Sequence, residues 1–351
     1  MDEPIQAESL RETCQRVERR AVIEVGTNSV KLLVADLGRA LHPVLKRSLS
    51  TRLGQGAFRS QSLQPEAIAR TVEAIEQFVA EAAAWRPISI RVLATSAARE
   101  ASNGLELIEA IQRAMGLSAE IISGEQEAGY VFRGVTSDPA IGPQPVLIVD
   151  VGGGSTEWVV GEAGLTCFRK STRLGTARLL ELHPPGDPPS PAVLLGLRAA
   201  VLEFLQAEVS PSLQPVLQAY RGRALRLVGL GGGLKALARL SSTDPASNGH
   251  PGRSLRRAQL TPLVERLWGL CLQDRRQLVG LDPPKAEVIL AGAVIHEAVL
   301  LHFGFDEMIS SGCGLREGSL LIRPGDPSHD FGSSKPWTYC TTSRKVGVLT
   351  K

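Results

Sequence analysis

The fold of this chain is decided by the stretch DVGGGSTE, residues 150–157. An apolar run, Val146–Val149, leads into it, and a β-rich run, Trp158–Val160, follows it, which predicts strand, glycine turn and strand. Three glycines allow the backbone to approach a ligand closely and to turn its N–H groups toward an anion. The carboxylates of Asp150 and Glu157 flank the turn, where a divalent cation bound to phosphate would need oxygen ligands. For this stretch alone, a tight β-hairpin that binds nothing is the alternative.

A weaker copy of this pattern lies near the N-terminus. Glu24-Val25-Gly26-x-x-Ser29 and Asp150-Val151-Gly152-x-x-Ser155 share acid-Val-Gly-x-x-Ser between two β-rich runs. The copies are separated by about one domain length. Two copies of one strand–turn–strand unit predict two related domains.

Three further segments carry candidate site residues. A strand over Ile88–Val92 leads to Thr95, Ser96 and Arg99 at a helix start, where an anion could bind, although a helix cap with a solvated arginine is equally consistent. Glu127 lies in the first turn of a helix that opens at residues 123–124, where acids usually serve only the helix dipole. A third glycine turn, residues 229–233, joins a strand to a helix, and it matches neither a Walker A loop nor the dinucleotide-binding fingerprint.

Composition excludes several classes of protein. The 351 residues are 43% hydrophobic and 21% charged with a net charge of +3, so neither a nucleic-acid nor a membrane partner is expected. The five cysteines are scattered, which predicts free thiols in a reducing compartment. The polar N-terminus does not resemble a secretory signal, and no apolar run approaches the ~20 residues of a membrane span. These features predict a cytoplasmic protein.

Seven motifs, in order along the chain, resemble those of one family. They are VGTNSVKLLV (25–34), ATSAAREASN (94–103), ISGEQEA (122–128), DVGGGSTE (150–157), LGTARL (174–179), AEVILAG (286–292) and GLREG (314–318). The set resembles the exopolyphosphatase / guanosine pentaphosphate phosphohydrolase (Ppx/GppA) family, in its short two-domain form, within the actin-like superfamily of sugar kinases, actin and heat-shock chaperones. The resemblance runs from about residue 21 to residue 322.

The resemblance implies an α/β fold of two actin-like (ribonuclease H-like) domains, with mixed sheets flanked by helices and an active-site cleft between them. We therefore expect an N-terminal extension over residues 1–20, domain I over 21–135, domain II over 136–323 and a flexible tail over 324–351. It also implies a homodimer.

The resemblance further implies Mg²⁺-dependent hydrolysis of a phosphoanhydride, with inorganic polyphosphate or guanosine pentaphosphate as substrate. Glu127 matches the general base, with Arg99 as a second catalytic residue that grips phosphate, and Asp150, Glu157 and Glu24 match the metal-binding acids. The residues expected to bind phosphate or substrate lie in the turns and hydroxyl segments: Gly26, Thr27, Asn28, Ser29, Thr95, Ser96, Gly152, Gly153, Gly154, Ser155, Thr156, Gly231 and Gly232.

Two positions depart from the family pattern. Glu24 stands where the family usually has Asp, and Gly233 stands where it usually has Thr, which removes one hydroxyl from the third turn. Two other functions stay open: the departures could indicate a site adapted for binding, and the superfamily fold permits phosphate transfer, although the missing Thr argues against that transfer. One is a regulator that binds guanosine tetra- or pentaphosphate or another nucleotide with little turnover, and the other is a phosphotransferase that passes phosphate to ADP.

Overall fold

The computed structural model describes residues 17–241, 254–278 and 280–322. Within these ranges the chain forms two compact units. The first contains the described residues up to Ser123 together with those from Arg316 onward, and the second contains the described residues of Gly124–Leu315. None of the helices in these ranges is long and apolar enough to cross a membrane.

The first unit is a five-stranded sheet with helices. Its elements in chain order are β1 Glu18–Val25, β2 Ser29–Leu37, β3 Leu41–Ser50, α1 Ala57–Ser60, α2 Pro65–Ala83, β4 Ile90–Ala94, α3 Ser96–Glu100, α4 Gly104–Met115 and β5 Ala119–Ile121. The strand order is β3-β2-β1-β4-β5, with β1, β2 and β3 antiparallel and β4 and β5 parallel to β1.

The second unit has a six-stranded sheet and more helices. Its elements are α5 Gly124–Thr136, β6 Val146–Val151, β7 Thr156–Glu162, β8 Leu165–Thr172, α6 Thr176–Leu182, α7 Pro191–Phe204, a π-helical turn Leu205–Val209, α8 Ser210–Gln218, β9 Arg226–Leu230, α9 Gly232–Ser241, β10 Ser254–Arg256, α10 Arg257–Trp268, α11 Leu272–Arg276, a 3₁₀ turn Pro283–Lys285, α12 Ile289–Phe303 and β11 Glu307–Ser310. The strand order is β10-β11-β9-β6-β7-β8. The last helix, α13 Leu315–Leu320, returns the chain to the first unit.

The two sheets repeat one topology, which confirms the duplication read from the two glycine turns. In each, an antiparallel three-stranded meander is followed by parallel strands added on the far side of its first strand: β4 and β5 beside β1, and β9 and β11 beside β6. The sheet of the second unit carries one additional antiparallel edge strand, β10.

Apolar patterning explains why each sheet has its own core. All four residues of the predicted run Val146–Val149 are fully buried in β6, a central strand with neighbours on both sides. In the first unit, the apolar face of α2 buries Ile68, Ile75 and Phe78 against the sheet, and Pro65 occupies the first turn of that helix, a position that suits proline. Helix α12 is buried along most of its length, as its apolar sequence predicts.

Several element boundaries differ from the predictions. Strand β1 already begins at Glu18, inside the region expected to be an N-terminal extension, while residues 1–16 and the predicted tail from 324 lie outside the described ranges. Helix α5 packs on β7 and β8, so the structure groups it with the second unit, whereas the predicted boundary followed residue 135. The segment Arg316–Leu320 was predicted to lie in domain II, but it belongs to the first unit. Strand β10 forms in a segment, residues 241–258, whose composition is typical of a loop.

Candidate active site

The second glycine turn, residues 152–155, joins β6 to β7 and places two carboxylates opposite each other. The N–H of Gly152 donates to the carbonyl of Ser155 at 2.9 Å, which closes the turn. Asp150 and Glu157 are direct cross-strand partners in the antiparallel pair. Opposite residues in such a pair have Cβ atoms about 5 Å apart, so the two carboxylates share one face of the sheet.

The segment after β8 holds this turn by its carbonyl groups. The N–H of Thr176 donates to the carbonyl of Gly152 at 3.0 Å, and that of Ala177 donates to the carbonyl of Gly153 at 2.8 Å. Arg178 donates from Nε to the carbonyl of Gly154 at 2.8 Å. In the described part of the chain, these hydrogen bonds use the carbonyls of the turn, and none of them uses the N–H groups of Gly153 or Gly154. This arrangement is consistent with a turn whose N–H groups bind an anion.

Electrostatics single out Glu157. Its side chain is 1% exposed, and this burial raises the pKa of its carboxyl well above the usual value. The negative charges of Glu127 and Asp150 raise that pKa further, while hydrogen bonds from Ser155 and Ser171 act in the opposite direction. Three neighbouring carboxylates, two of them buried, favour either a shared proton or a bound cation.

Glu127 reaches this cluster from α5. It is 8% exposed, and it lies in the first turn of a helix that packs on β7 and β8. Burial and the coupling to Glu157 distinguish it from Glu125 in the same turn, whose side chain is 61% exposed and pairs with Arg169 at 3.4 Å. The structure thus brings the predicted base, Glu127, together with two of the three predicted metal-binding acids, Asp150 and Glu157.

The third glycine turn packs beside one of these acids, Asp150. Gly231 has φ +102°, a conformation that favours glycine, and a Cβ added there would lie 2.5 Å from the carbonyl oxygen of Val151. That Cβ would also lie 3.8 Å from Oδ1 of Asp150. Gly232 opens α9 directly after it. At Gly233 a Cβ would meet nothing closer than 3.9 Å, so the packing does not require glycine where the family usually has Thr.

In the first unit, the corresponding turn has the same backbone but a different charge pattern. The N–H of Gly26 donates to the carbonyl of Ser29 at 3.1 Å, as Gly152 does to Ser155. The cross-strand partner of Glu24 is Lys31, which donates to its Oε1 at 2.7 Å. Arg316 Nε lies 3.4 Å from the other oxygen of Glu24. Burial acts to raise the pKa of the Glu24 carboxyl, but the charges of Lys31 and Arg316 outweigh it and lower that pKa.

Glu24 is therefore already compensated by two cations, whereas its counterpart Asp150 faces a second carboxylate. The metal-binding role predicted for Glu24 stays a prediction. Thr27 is buried, and the carbonyls of Thr27 and Asn28 accept hydrogen bonds from the backbone that follows β3.

The remaining predicted residues of the first unit lie where β4 ends. Thr95 donates from Oγ1 to the carbonyl of Val25 at 3.3 Å, and Ser96 donates to Glu100 at 2.7 Å. Arg99 Nη1 donates to the carbonyl of Ile122 at 3.0 Å. The predicted strand–hydroxyl–helix arrangement is confirmed, and the phosphate-binding role of these side chains stays a prediction.

Sequence reasoning missed three residues that hold the acids and turns. Ser171 lies on β8, opposite Glu157, and donates to Glu157 Oε1 at 2.8 Å. Arg178 donates to the carbonyl of Gly154, while its neighbours Arg169 and Lys170 pair with Glu125 and with the carbonyl of Glu208. Arg316 was quoted in a motif but given no partner.

The acids at the second turn are oxygen donors of the kind that Mg²⁺ prefers. No group of three or more His, Cys, Asp or Glu side chains among the described residues is arranged to hold a metal ion by itself. Mg²⁺, however, is usually bound by one or two carboxylates that act together with water and phosphate oxygens. The opposed pair of Asp150 and Glu157, beside a glycine turn, fits that requirement.

The repeated sheets with a glycine turn after the first strand of each define an actin-like α/β protein. A solved structure of the Aquifex aeolicus PPX-GPPA enzyme has a TM-score of 0.67 and 28% identity, covering 87% of this chain and 99% of that one. An exopolyphosphatase structure from Cytophaga hutchinsonii has a TM-score of 0.77 at 24% identity, covering 86% of this chain and 96% of that one, which supports the fold.

The chain belongs to the Ppx/GppA phosphatase family, whose model matches residues 32–323. It is 32% identical to exopolyphosphatase 2 of Mycobacterium tuberculosis over 88% of this chain and 99% of that protein. It is 30% identical to the guanosine-5'-triphosphate,3'-diphosphate pyrophosphatase of Aeromonas hydrophila over 88% of this chain and 60% of that longer protein. The chain is accordingly a hydrolase that acts on acid anhydrides.

Proposed function

We propose that this protein is a Mg²⁺-dependent hydrolase that releases terminal phosphate from inorganic polyphosphate, with the 5'-γ phosphate of guanosine pentaphosphate as a second substrate. The observation that carries the proposal is the cluster of buried Glu127 and Glu157 with the partly buried Asp150 beside the second glycine turn. Polyphosphate is placed first because the similarity to exopolyphosphatase 2 extends over nearly the whole of that relative.

Each member of the cluster has a distinct task in this proposal. Glu127, in the first turn of α5, accepts a proton from the attacking water. Asp150 and Glu157 would hold Mg²⁺, which when bound supplies positive charge against the phosphate oxygens. The N–H groups of Gly153 and Gly154 bind the oxygens of the terminal phosphate, whose negative charge must be stabilised as the anhydride bond breaks. Arg99 and the first glycine turn are proposed to grip phosphate as well.

The raised pKa of Glu157 supports a requirement for a divalent cation. Burial and the neighbouring negative charges disfavour the ionised form of this carboxyl, and a cation beside it would favour the ionised form again. Metal binding and the charge state of the cluster are therefore coupled, and hydrolysis is expected to require a divalent cation. We expect phosphate release to stop when Mg²⁺ is removed with EDTA and to return when Mg²⁺ is restored.

The test of substrate is a side-by-side measurement of phosphate release from long-chain polyphosphate and from guanosine pentaphosphate at fixed Mg²⁺. We expect turnover of both, with the higher kcat/KM on polyphosphate. Tight binding of guanosine tetra- or pentaphosphate in calorimetry without phosphate release would instead favour the nucleotide-binding regulator. Transfer of labelled phosphate to ADP would favour the phosphotransferase. Sedimentation of the purified chain tests the proposed homodimer.

A further inference from the structure

We propose that Ser171 is a positioning residue for phosphoanhydride hydrolysis, because its side chain fixes both the carboxylate of Glu157 and the start of the helix that carries Glu127. The inference rests on the proposed function. It assigns a role to a strand residue outside the glycine turns and outside the set of acids. The contacts that support it lie entirely within the second unit.

The first contact is with Glu157. Ser171 and Glu157 are cross-strand partners on β8 and β7, and the hydroxyl of Ser171 donates to Glu157 Oε1 at 2.8 Å. Because β8 pairs with β7, the backbone of Ser171 is held opposite Glu157, and its hydroxyl lies within hydrogen-bond reach of the Glu157 carboxylate. A hydrogen bond to one carboxylate oxygen restricts the rotation of that carboxylate.

The second contact is with Gly124, the first residue of α5. A Cβ added at Gly124 would lie 2.4 Å from the Cβ of Ser171 and 2.7 Å from its Oγ, so only glycine allows this approach without a shift. Glu127 lies three residues further along the same helix, in its first turn. The side chain of residue 171 therefore determines how closely the start of α5 approaches β8, and with it the position of Glu127 relative to Glu157.

These two contacts predict a specific kinetic effect. A misplaced Glu157 or Glu127 weakens stabilisation of the transition state more than binding of the substrate, which lowers kcat and leaves KM nearly unchanged. Outer-shell partners of metal-binding carboxylates typically contribute roughly 10- to 100-fold to metal affinity or to activity. Ser171→Ala removes the hydroxyl without adding volume, so the fold is expected to tolerate it.

The experiment compares the unmodified protein with Ser171→Ala and with Ser137→Ala. Ser137 is a matched control, because it lies in the same unit and its hydroxyl donates to the carbonyl of Gly134, near the end of α5, at 2.7 Å. Three quantities are measured: the thermal unfolding midpoint, kcat and KM for polyphosphate at saturating Mg²⁺, and the Kd for Mn²⁺ by calorimetry. We expect Ser171→Ala to lower kcat roughly tenfold or more. KM should stay within about threefold and the Kd for Mn²⁺ should rise, while Ser137→Ala behaves like the unmodified protein.

The inference is overturned if kcat and the Kd for Mn²⁺ of Ser171→Ala both stay within about twofold of the Ser137→Ala values, or if the loss appears only in KM. It is also overturned if the loss of activity merely follows a lower unfolding midpoint. If the unmodified protein releases no phosphate from either substrate, the proposed function fails. The role of Ser171 is then judged on the Mn²⁺ affinity alone, where an unchanged Kd overturns it.

Discussion

Replacement of Gly175 by alanine tests the packing that holds the second glycine turn. A Cβ at residue 175 would lie 2.5 Å from the carbonyl oxygen of Gly153 and 2.5 Å from the carbonyl carbon of Gly154. Ordinary contacts of this kind are 3.4–4 Å, so the turn and the start of α6 must separate by about 1 Å. Both neighbours are backbone atoms, so no side chain can rotate away to accommodate the new group.

The expected energetic effect follows from this geometry. Gly175 has φ −155°, which alanine adopts without strain, so the effect is steric alone. Overpacking of a rigid site destabilises a protein by about 1–3 kcal/mol. In a unit of this size, each kcal/mol lowers the unfolding midpoint by roughly 2–4 °C. The same displacement lengthens the hydrogen bonds that residues 176 and 177 donate to the turn, so we expect phosphate release to fall as well.

The assay is thermal unfolding followed by circular dichroism, together with phosphate release at a temperature where both proteins are folded. Gly196→Ala is the matched control, since a Cβ at that position in α7 would meet no described heavy atom within 4 Å beyond its chain neighbours and the backbone of its own helix. It should stabilise the protein by up to about 1 kcal/mol through helix propensity. An unchanged midpoint and unchanged activity in Gly175→Ala would refute the reasoning, because they would show that the turn does not depend on this close contact.

Two further predictions concern charge. The pKa of Glu157 is raised in the folded state, so the stability that this carboxyl contributes is present below its ordinary pKa of 4.5 and is lost as pH rises through the folded pKa. We expect Glu157→Gln to remove this loss of stability in urea titrations with EDTA, and to abolish phosphate release in a separate assay. An unchanged pH dependence of the free energy of unfolding would contradict the prediction. The pKa of Glu24 is lowered in the folded state, so the stability that this carboxylate contributes is present above pH 4.5 and is lost as pH falls through the folded pKa. Arg316→Ala, which removes one of its ion pairs, should lower the free energy of unfolding by roughly 1–3 kcal/mol at pH 7 and by less at pH 3. An equal loss of stability at both pH values in urea titrations would argue against this ion pair.

The duplicated architecture could be predicted from the sequence because it is encoded locally. The pattern acid-Val-Gly-x-x-Ser specifies the turn by itself, and both copies close with the same hydrogen bond, from Gly26 to Ser29 and from Gly152 to Ser155. Apolar runs that are buried on both faces, such as Val146–Val149, identify central strands without any knowledge of the neighbouring strands.

The contacts that hold the site could not be predicted in the same way, because they depend on pairing and packing between distant segments. Ser171 contacts Glu157 only because β8 pairs with β7 in one register, and a shift of one residue would turn its side chain to the other face. Arg316 reaches Glu24 because α13 returns to the first unit from near the end of the described chain. Neither contact has a local signal in sequence spacing.

The difference in charge between the two turns also required the structure. Register pairs Glu24 with Lys31 and Asp150 with Glu157, so one copy forms an ion pair and the other forms a pair of acids. Duplication has therefore preserved the backbone of the turn while its charge has changed. This asymmetry explains why the proposed chemistry is assigned to the acids of the second unit.

The most direct test of the proposed mechanism is phosphate release by Glu127→Gln compared with Glu125→Gln. Both changes remove one negative charge from the first turn of α5, but Glu127 is buried beside the acid cluster, whereas the Glu125 side chain is 61% exposed. Loss of a general base lowers the rate by about 10²- to 10⁴-fold. We predict that kcat on polyphosphate falls by that amount in Glu127→Gln and stays within about twofold of the unmodified value in Glu125→Gln. Full activity in Glu127→Gln would contradict the assignment of the base.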